Sequence, residues 1–315
     1  MPAAVEVHAP SRLHFGMFSF GRTDARQFGG VGAMIEQPGL HLRLSAAPEL
    51  TASGPVADRA LQFARHVAEH LQIEPRFQIE ILAAPPAHIG LGSGTQLGMS
   101  IAAAILNLQG VYDPTVEQLV AACGRGKRSA IGAHGFLQGG LLIESGKQRA
   151  DELSPLTARV PLPDEWRFVL ITPRGDAGLH GAAELTAFAQ LPPVEPAVTA
   201  ELQRLALDAL LPAATAGDFP RFRDTLEAFN NLAGACFSAA QGGRYAPHAQ
   251  RVIDELRTMG VRGYAQTSWG PTVCVICEST VVAEVLANEW REASRNAAVQ
   301  VTACASQGAM VSRVP

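Results

Sequence analysis

Cysteine is scarce in this 315-residue chain, and its five copies, at 123, 236, 274, 277 and 304, are odd in number and scattered. That argues against a disulfide framework and for reduced thiols. Cys274 and Cys277 have CxxC spacing, but they lie in an apolar, strand-like run where residues three apart face opposite ways, so they read as core. No uninterrupted apolar run approaches the ~18 residues of a membrane span. Residues 1–6 lack the charged start and apolar core of a secretory leader, so a cytoplasmic protein is expected. A basic excess is missing as well: the net charge is -4 and the pI near 6.1, which speaks against nucleic acid or a membrane surface as partner. Any basic site must be local. Internal repeats are absent, and so are the GxxxxGK[ST] loop and a GxGxxG turn after a Rossmann strand.

What remains is a chain with 47% hydrophobic and 17% charged residues, long enough for two modest domains. Short strands are expected at residues 5–7, 13–15, 31–36 and 40–44. A helix over 56–72 places Leu61, Ala64, Val67, Ala68 and Leu71 on one face. Thr115-Val-Glu-Gln118 matches a capping box at the start of another helix. The proline-punctuated stretch 155–163 suggests a boundary between domains 1–160 and 161–315. Beyond it the pattern predicts a strand at 168–171, helices near 181–190, 199–211, 219–237, 247–259 and 280–294, and strands at 262–266, 272–277 and 298–303. Strands interleaved with covering helices indicate an α+β sandwich.

The stretch around which the chain is organised runs from Pro85 to Gly98 and joins the alternating strand Phe77–Leu82 to a helical run at 97, 101, 104, 105 and 108. Gly90, Gly92 and Gly94 tolerate positive φ and lack a Cβ, so the N–H groups of Gly90, Leu91, Gly92, Ser93, Gly94, Thr95 and Gln96 are able to face one concavity at a helix N-terminus. An anion, most often phosphate, suits that place. Ser93 and Thr95 offer hydroxyls to phosphate or to Mg²⁺. A plain strand-to-helix turn is the competing reading. A second stretch, Gly124 to Gly140, gathers six glycines and three cations, Arg125, Lys127 and Arg128, just before an apolar strand. Cations among glycines, off any helix face, point to anion binding rather than to a solvated turn.

Five motifs in order carry a family resemblance: Ser11-Arg12-Leu13-His14-Phe15-Gly16, Gly29-Gly30-Val31-Gly32, the Pro86 to Gly94 loop, Arg128-Ser129-Ala130-Ile131-Gly132 with Phe136 and Gly139-Gly140, and Ser268-Trp269-Gly270-Pro271-Thr272. Together they resemble the β-ribofuranosylaminobenzene 5'-phosphate synthase family, a branch of the GHMP kinase superfamily, from about residue 8 to about 278. The loop is similar to the superfamily's GLGSS signature except that Gly94 replaces its second serine. The segment before Gly139-Gly140 offers Ser129 to His134 where kinases carry an aspartate base, so the carboxylate is missing. Trp269 inserts an indole into a turn that kinases keep small.

The resemblance implies a two-domain GHMP kinase-like fold, with an N-terminal mixed sheet and helix domain bearing the phosphate loop and a C-terminal ferredoxin-like sandwich. It implies that phosphoribosyl pyrophosphate loses pyrophosphate while a para-substituted benzoate loses CO₂, with Mg²⁺ as cofactor and a homodimer as in many relatives. An ATP-dependent small-molecule kinase and a non-catalytic ligand-binding relative are the alternatives. On this reading Gly90 to Gln96 cradle pyrophosphate, helped by Gly29 and Gly30. Arg12, His14, Arg128, His134 and His180 are the catalytic candidates. Arg125, Lys127, Ser129 and Arg174 hold substrate anions, and Ser268, Trp269 and Gly270 receive the flat ring. Ser93, Thr95, Asp24, Asp176 and Glu184 are the candidate metal ligands.

Overall fold

The computed structural model describes residues 4–175, 181–293 and 296–314. The chain opens with two long strands, β1 (Ala4–Ser19) and β2 (Phe28–Ala46), paired antiparallel along most of their length. Four short strands were expected here. Pro10 and Pro38-Gly39 interrupt the ladder only locally: pairing passes from Ala9 opposite Leu40 to Ser11 opposite Ile35, so residues 36–39 bulge and the ladder resumes. β3 (Thr51–Ser53), α1 (Ala57–Leu71), β4 (Phe77–Ala83), α2 (Ser93–Leu108), α3 (Val116–Cys123), α4 (Ile131–Gln138), β5 (Leu141–Glu144) and β6 (Leu156–Val160) follow. The capping box is present, with Gln118 N donating to Thr115 Oγ1 at 3.3 Å and Thr115 N to Gln118 Oε1 at 2.8 Å.

The second half runs β7 (Arg167–Pro173), α5 (Gly181–Ala189), α6 (Pro196–Arg204), a π-helical turn at Leu205–Leu210, α7 (Leu211–Ala216), α8 (Phe219–Ala235), α9 (Ser238–Gln241), α10 (Pro247–Thr258), β8 (Tyr264–Gln266), β9 (Val273–Cys277), α11 (Thr280–Ala293), β10 (Ala297–Ala303) and β11 (Met310–Val314). Two sheets result. The larger has the order β11-β1-β2-β4-β3, with β5 on another stretch of β2 and β6 beyond it; the smaller is β10-β7-β9-β8. The expected α+β architecture is therefore present. β11, which the sequence reading did not anticipate, returns the end of the chain to the first sheet beside β1.

Alternation explains the first core. Val5, Val7, Leu42, Leu44, Ile79 and Ile81 face inward against α1 and α2, and each such side chain contributes about 1.5–3 kcal/mol by leaving water. A second cluster joins the halves: Leu13, Phe15 and Phe18 of β1 pack with Phe222, Leu226 and Phe229 of α8. Cys274 and Cys277 fall in different clusters, on opposite faces of β9. Burial pushes both thiols up to about 12, as a core role requires.

Candidate active site

One cavity of about 550 Å³ lies between the N-terminus of α2, the loop 124–129, α5, the turn 267–270 and the stretch from α8 to α10. Its floor is built from the Gly loop. Gly92 caps α2 in the left-handed conformation, with φ 68°, and Gly90 has φ 92°. A Cβ on Gly92 would stand 2.7 Å from Arg12 Nε, so a side chain there would displace the guanidinium. Arg12 is tied to this floor twice over: its N–H donates to Leu91 O at 3.0 Å and its Nη1 to Ser268 Oγ at 2.9 Å. Burial pulls its pKa down to about 10, which leaves it cationic at neutral pH.

Thr267 fastens the third wall. Its hydroxyl accepts from His14 N and donates to Gly90 O, each at 2.9 Å, while Ser268 N donates to His14 O at 3.0 Å. Strand β1, the Gly loop and the 267–270 turn thus form one hydrogen-bonded unit. His14 is buried, and that burial, with Arg12 and Arg128 nearby, holds its imidazole well below the ordinary histidine range. It is neutral, with Nε2 3.1 Å from Ser129 Oγ.

Gly94, where the GLGSS pattern has serine, has a specific neighbour. A Cβ there would lie 2.6 Å from Arg59 Nη2 and 3.3 Å from Arg125 Nη2. Two guanidiniums therefore crowd the start of α2, where the helix dipole already favours an anion. Arg128 packs over the Phe188 ring at 5.0 Å and pairs through Nη2 with Glu184 Oε1; its Nη1 is shielded and without a hydrogen-bond partner. Lys127 is positioned through its carbonyl, which accepts from the buried Lys147 Nζ. Among the described lining residues, Arg12, Arg59, Arg125, Lys127, Arg128 and Arg244 face the single carboxylate Glu184.

The far wall is apolar and amide-rich. Trp269 meets Phe237 edge-on, with ring centroids 5.1 Å apart, and Phe188 at 6.5 Å. Asn230 is buried and donates to Phe15 O at 2.6 Å and Gln266 O at 3.0 Å, while Tyr245 donates to Asn231 Oδ1 at 2.8 Å. Beneath Ser129 lies Glu144, fully buried, whose Oε2 accepts from Ala130 N at 2.7 Å and whose Oε1 has no hydrogen-bond partner. Burial raises its carboxyl to about 7, against the opposing pull of hydrogen bonds and of Arg12.

The cavity collects Arg12, His14, Gly90 to Thr95, Arg125, Lys127, Arg128, Ser129, Glu184, Ser268, Trp269 and Gly270 from the sequence-derived set. Others lie elsewhere. His134 is buried with Nε2 2.8 Å from Ser154 O, a structural bond. Gln96 is turned into the interior, donating to Gly132 O at 2.9 Å. Gly29 and Gly30 serve packing: a Cβ on Gly30 would stand 2.1 Å from Gly16 O, and one on Gly29 2.8 Å from Gly146 N. Asp24 is exposed and paired with Arg22, and Arg174 is exposed at the end of β7. Both are off the cavity. Asp176 and His180 lie outside the described residues.

Arg59, Arg244, Tyr245, Asn230 and Glu144 were not singled out from sequence. Arg59, Asn230 and Glu144 sit on ordinary helices or a strand, Arg244 and Tyr245 in the connection between α9 and α10, and only the tertiary fold brings them to the site. Glu144 had one available signal, a carboxylate ending the apolar run Leu141–Ile143.

Residues 210–296 match the family GHMP kinases C terminal. Over 289 residues the chain is 28% identical to the beta-ribofuranosylphenol 5'-phosphate synthase of Methanothermobacter thermautotrophicus, covering 85% of this chain and 87% of that one. Over 288 residues it is 28% identical to the protein of the same name from Archaeoglobus fulgidus, covering 87% and 88%. Among solved structures, homoserine kinase from Cytophaga hutchinsonii superposes with a TM-score of 0.65 at 18% identity, over 98% of this chain and 97% of that one, a likeness of fold alone. Both synthase alignments cover more than four-fifths of each chain, so this enzyme is similar over most of its length to the β-ribofuranosylphenol 5'-phosphate synthases, and in its C-terminal part to the GHMP kinases.

Proposed function

We propose that this chain condenses phosphoribosyl pyrophosphate with a para-substituted benzoate to give a β-ribofuranosyl arene 5'-phosphate, CO₂ and pyrophosphate, a step of tetrahydromethanopterin biosynthesis. The bond from the ribose anomeric carbon to the pyrophosphate oxygen breaks, and its electron pair leaves with pyrophosphate. The ring carbon that carries the carboxylate attacks the anomeric carbon. The carbon–carboxylate bond then breaks, CO₂ departs, and its electron pair restores the aromatic ring. Because CO₂ leaves in place of a proton, no side-chain base is needed at that carbon.

The observation that carries this reading is the lining of the cavity: among the described residues, six cations and a helix N-terminus against one carboxylate, facing an indole. A substrate pair with a diphosphate, a monophosphate and a carboxylate matches that charge, and the departing pyrophosphate is stabilised by preorganised donors. The Gly90–Thr95 loop with Arg59 and Arg125 would hold the diphosphate. Arg128, through its unpartnered Nη1, and Lys127 would take a second anion. Trp269 would stack on the benzoate ring. The relatives are named for a ribofuranosylphenol product, which favours 4-hydroxybenzoate over 4-aminobenzoate.

A kinase acting on an alcohol needs a group to accept its proton. Among the described lining residues Glu184 alone bears a carboxylate, and Arg128 already neutralises it. Hard oxygen donors for Mg²⁺ are present in the hydroxyls of Ser93 and Thr95 and in Glu184, enough for an ion that keeps most of its ligands as phosphate and water. When bound, Mg²⁺ would neutralise charge on the leaving pyrophosphate. Incubation with phosphoribosyl pyrophosphate, Mg²⁺ and each benzoate, with the product weighed by mass spectrometry, tests the reading. A decarboxylated ribosyl arene phosphate, formed faster from 4-hydroxybenzoate, is expected; recovery of intact substrates would refute it.

A further inference from the structure

On the outer face of the first sheet, far from any role in the cavity lining, β1 and β2 bring three metal-ligating side chains together. Glu6 and His8 alternate with the inward-facing Val5, Val7 and Ala9, so they share the outer face. The register sets His41 directly opposite His8 and Arg43 directly opposite Glu6. Cross-strand partners are held a fixed distance apart by the ladder itself. One donor atom from each of Glu6, His8 and His41 lies within 4.8 Å of the other two.

The two oxygens of Glu6 have separate tasks. Oε1 accepts from Arg43 Nε at 2.9 Å and from its Nη2 as well. Oε2 is left to the imidazoles, 3.8 Å from His41 Nε2 and 4.0 Å from His8 Nε2. Those separations are too long for hydrogen bonds. His41 Nε2 is accordingly a shielded polar atom with no hydrogen-bond partner. Four ligands at Zn–N and Zn–O lengths of about 2.0–2.1 Å span edges of about 3.4 Å, so the donors must draw together, and the two rings turn their lone pairs inward, to meet on one ion. The two rings are stacked, with centroids 3.8 Å apart and planes at 24°. Met310 and Ser312 of β11, opposite His8 and Glu6, add no charge, and the half-exposed His8 leaves an approach from solvent.

We propose that Glu6, His8 and His41 form a binding site for a divalent transition metal, with Arg43 orienting the carboxylate and water completing the shell. Two nitrogens and one oxygen suit Zn²⁺, Ni²⁺ or Cu²⁺ rather than Mg²⁺. The ion would clip β1 to β2 as a structural element, independent of the catalytic Mg²⁺ chemistry.

Calorimetric titration of the untagged full-length chain with Zn²⁺, in buffer containing excess Mg²⁺, tests the proposal. One Zn²⁺ per chain with micromolar affinity, and a rise in Tm on addition, are the expected results. His8→Ala and His41→Ala should each abolish that saturable site while leaving the far-UV circular dichroism unchanged. Absence of saturable binding in the wild-type chain overturns the proposal, whatever the variants do. Undiminished binding in both histidine variants overturns it equally, by placing the Zn²⁺ elsewhere.

Discussion

The guanidinium of Arg12 donates a 2.9 Å hydrogen bond to the hydroxyl of Ser268 across 256 residues of sequence. That bond holds a cation over the Gly loop and fixes the turn that carries Trp269. Arg12→Ala should lower kcat/KM by about 30-fold, or ~2 kcal/mol, as expected for loss of a charged donor to substrate. Ser268→Ala leaves the cation present but less well placed, and the loss should be smaller, roughly 3- to 10-fold. Steady-state kinetics on both variants checks the order, and equal effects would argue that Arg12 does not touch substrate.

Gly94 makes room for Arg59 and Arg125 rather than for a backbone turn. Gly94→Ser should leave Tm nearly unchanged, because the crowded atoms are the ends of flexible side chains. It should raise the KM for phosphoribosyl pyrophosphate several-fold by displacing those guanidiniums. A thermal melt with a substrate titration separates the two effects, and an unchanged KM would remove Arg59 and Arg125 from the diphosphate site.

Glu144 makes the fold sensitive to pH. Its carboxyl titrates at about 7 in the folded chain against an ordinary 4.5. Below pH 4.5 both folded and unfolded chains hold the proton, and burial carries no ionisation penalty. As pH rises to about 7 the unfolded chain releases the proton while the folded chain keeps it, so stability falls, by roughly 3 kcal/mol once the window is passed. Glu144→Gln should remove this loss. Denaturant unfolding at pH 5 and pH 8 should show the wild type losing more stability than the variant between the two; parallel losses would mean that Glu144 stays ionised throughout.

Trp166 and Trp290 are buried while Trp269 lines the cavity. Binding of a benzoate should therefore quench tryptophan fluorescence, and Trp269→Phe should abolish the quench while raising the KM for the benzoate alone. A persistent quench in the variant would place the ring elsewhere.

How far the sequence was legible depends on how local the cause is. Helices with a clean apolar face or a capping box, such as α1 and α3, are set by neighbours within a few residues, and their ends were placed closely. β1 and β2 were read as four short fragments, whereas the ladder runs on through Pro10 and Pro38 with a bulge. β11 has no alternation of its own and exists because β1 offers an open edge. The same distinction holds in the site. The Gly loop and the cationic loop are contiguous and could be read, but Arg59 reaches the cavity only through the packing of α1, and Arg244 only through the connection between α9 and α10. His134 follows a motif yet turns inward to Ser154 O, since a helical residue three positions from its N-terminus faces whatever the fold puts there.

The most direct test of the central claim uses carboxyl-labelled 4-hydroxybenzoate with phosphoribosyl pyrophosphate and Mg²⁺, counting labelled CO₂ against pyrophosphate. One CO₂ per pyrophosphate, without any requirement for ATP, is the predicted result. Pyrophosphate-free, ATP-dependent phosphorylation of an alcohol, with the label retained on the benzoate, would contradict it.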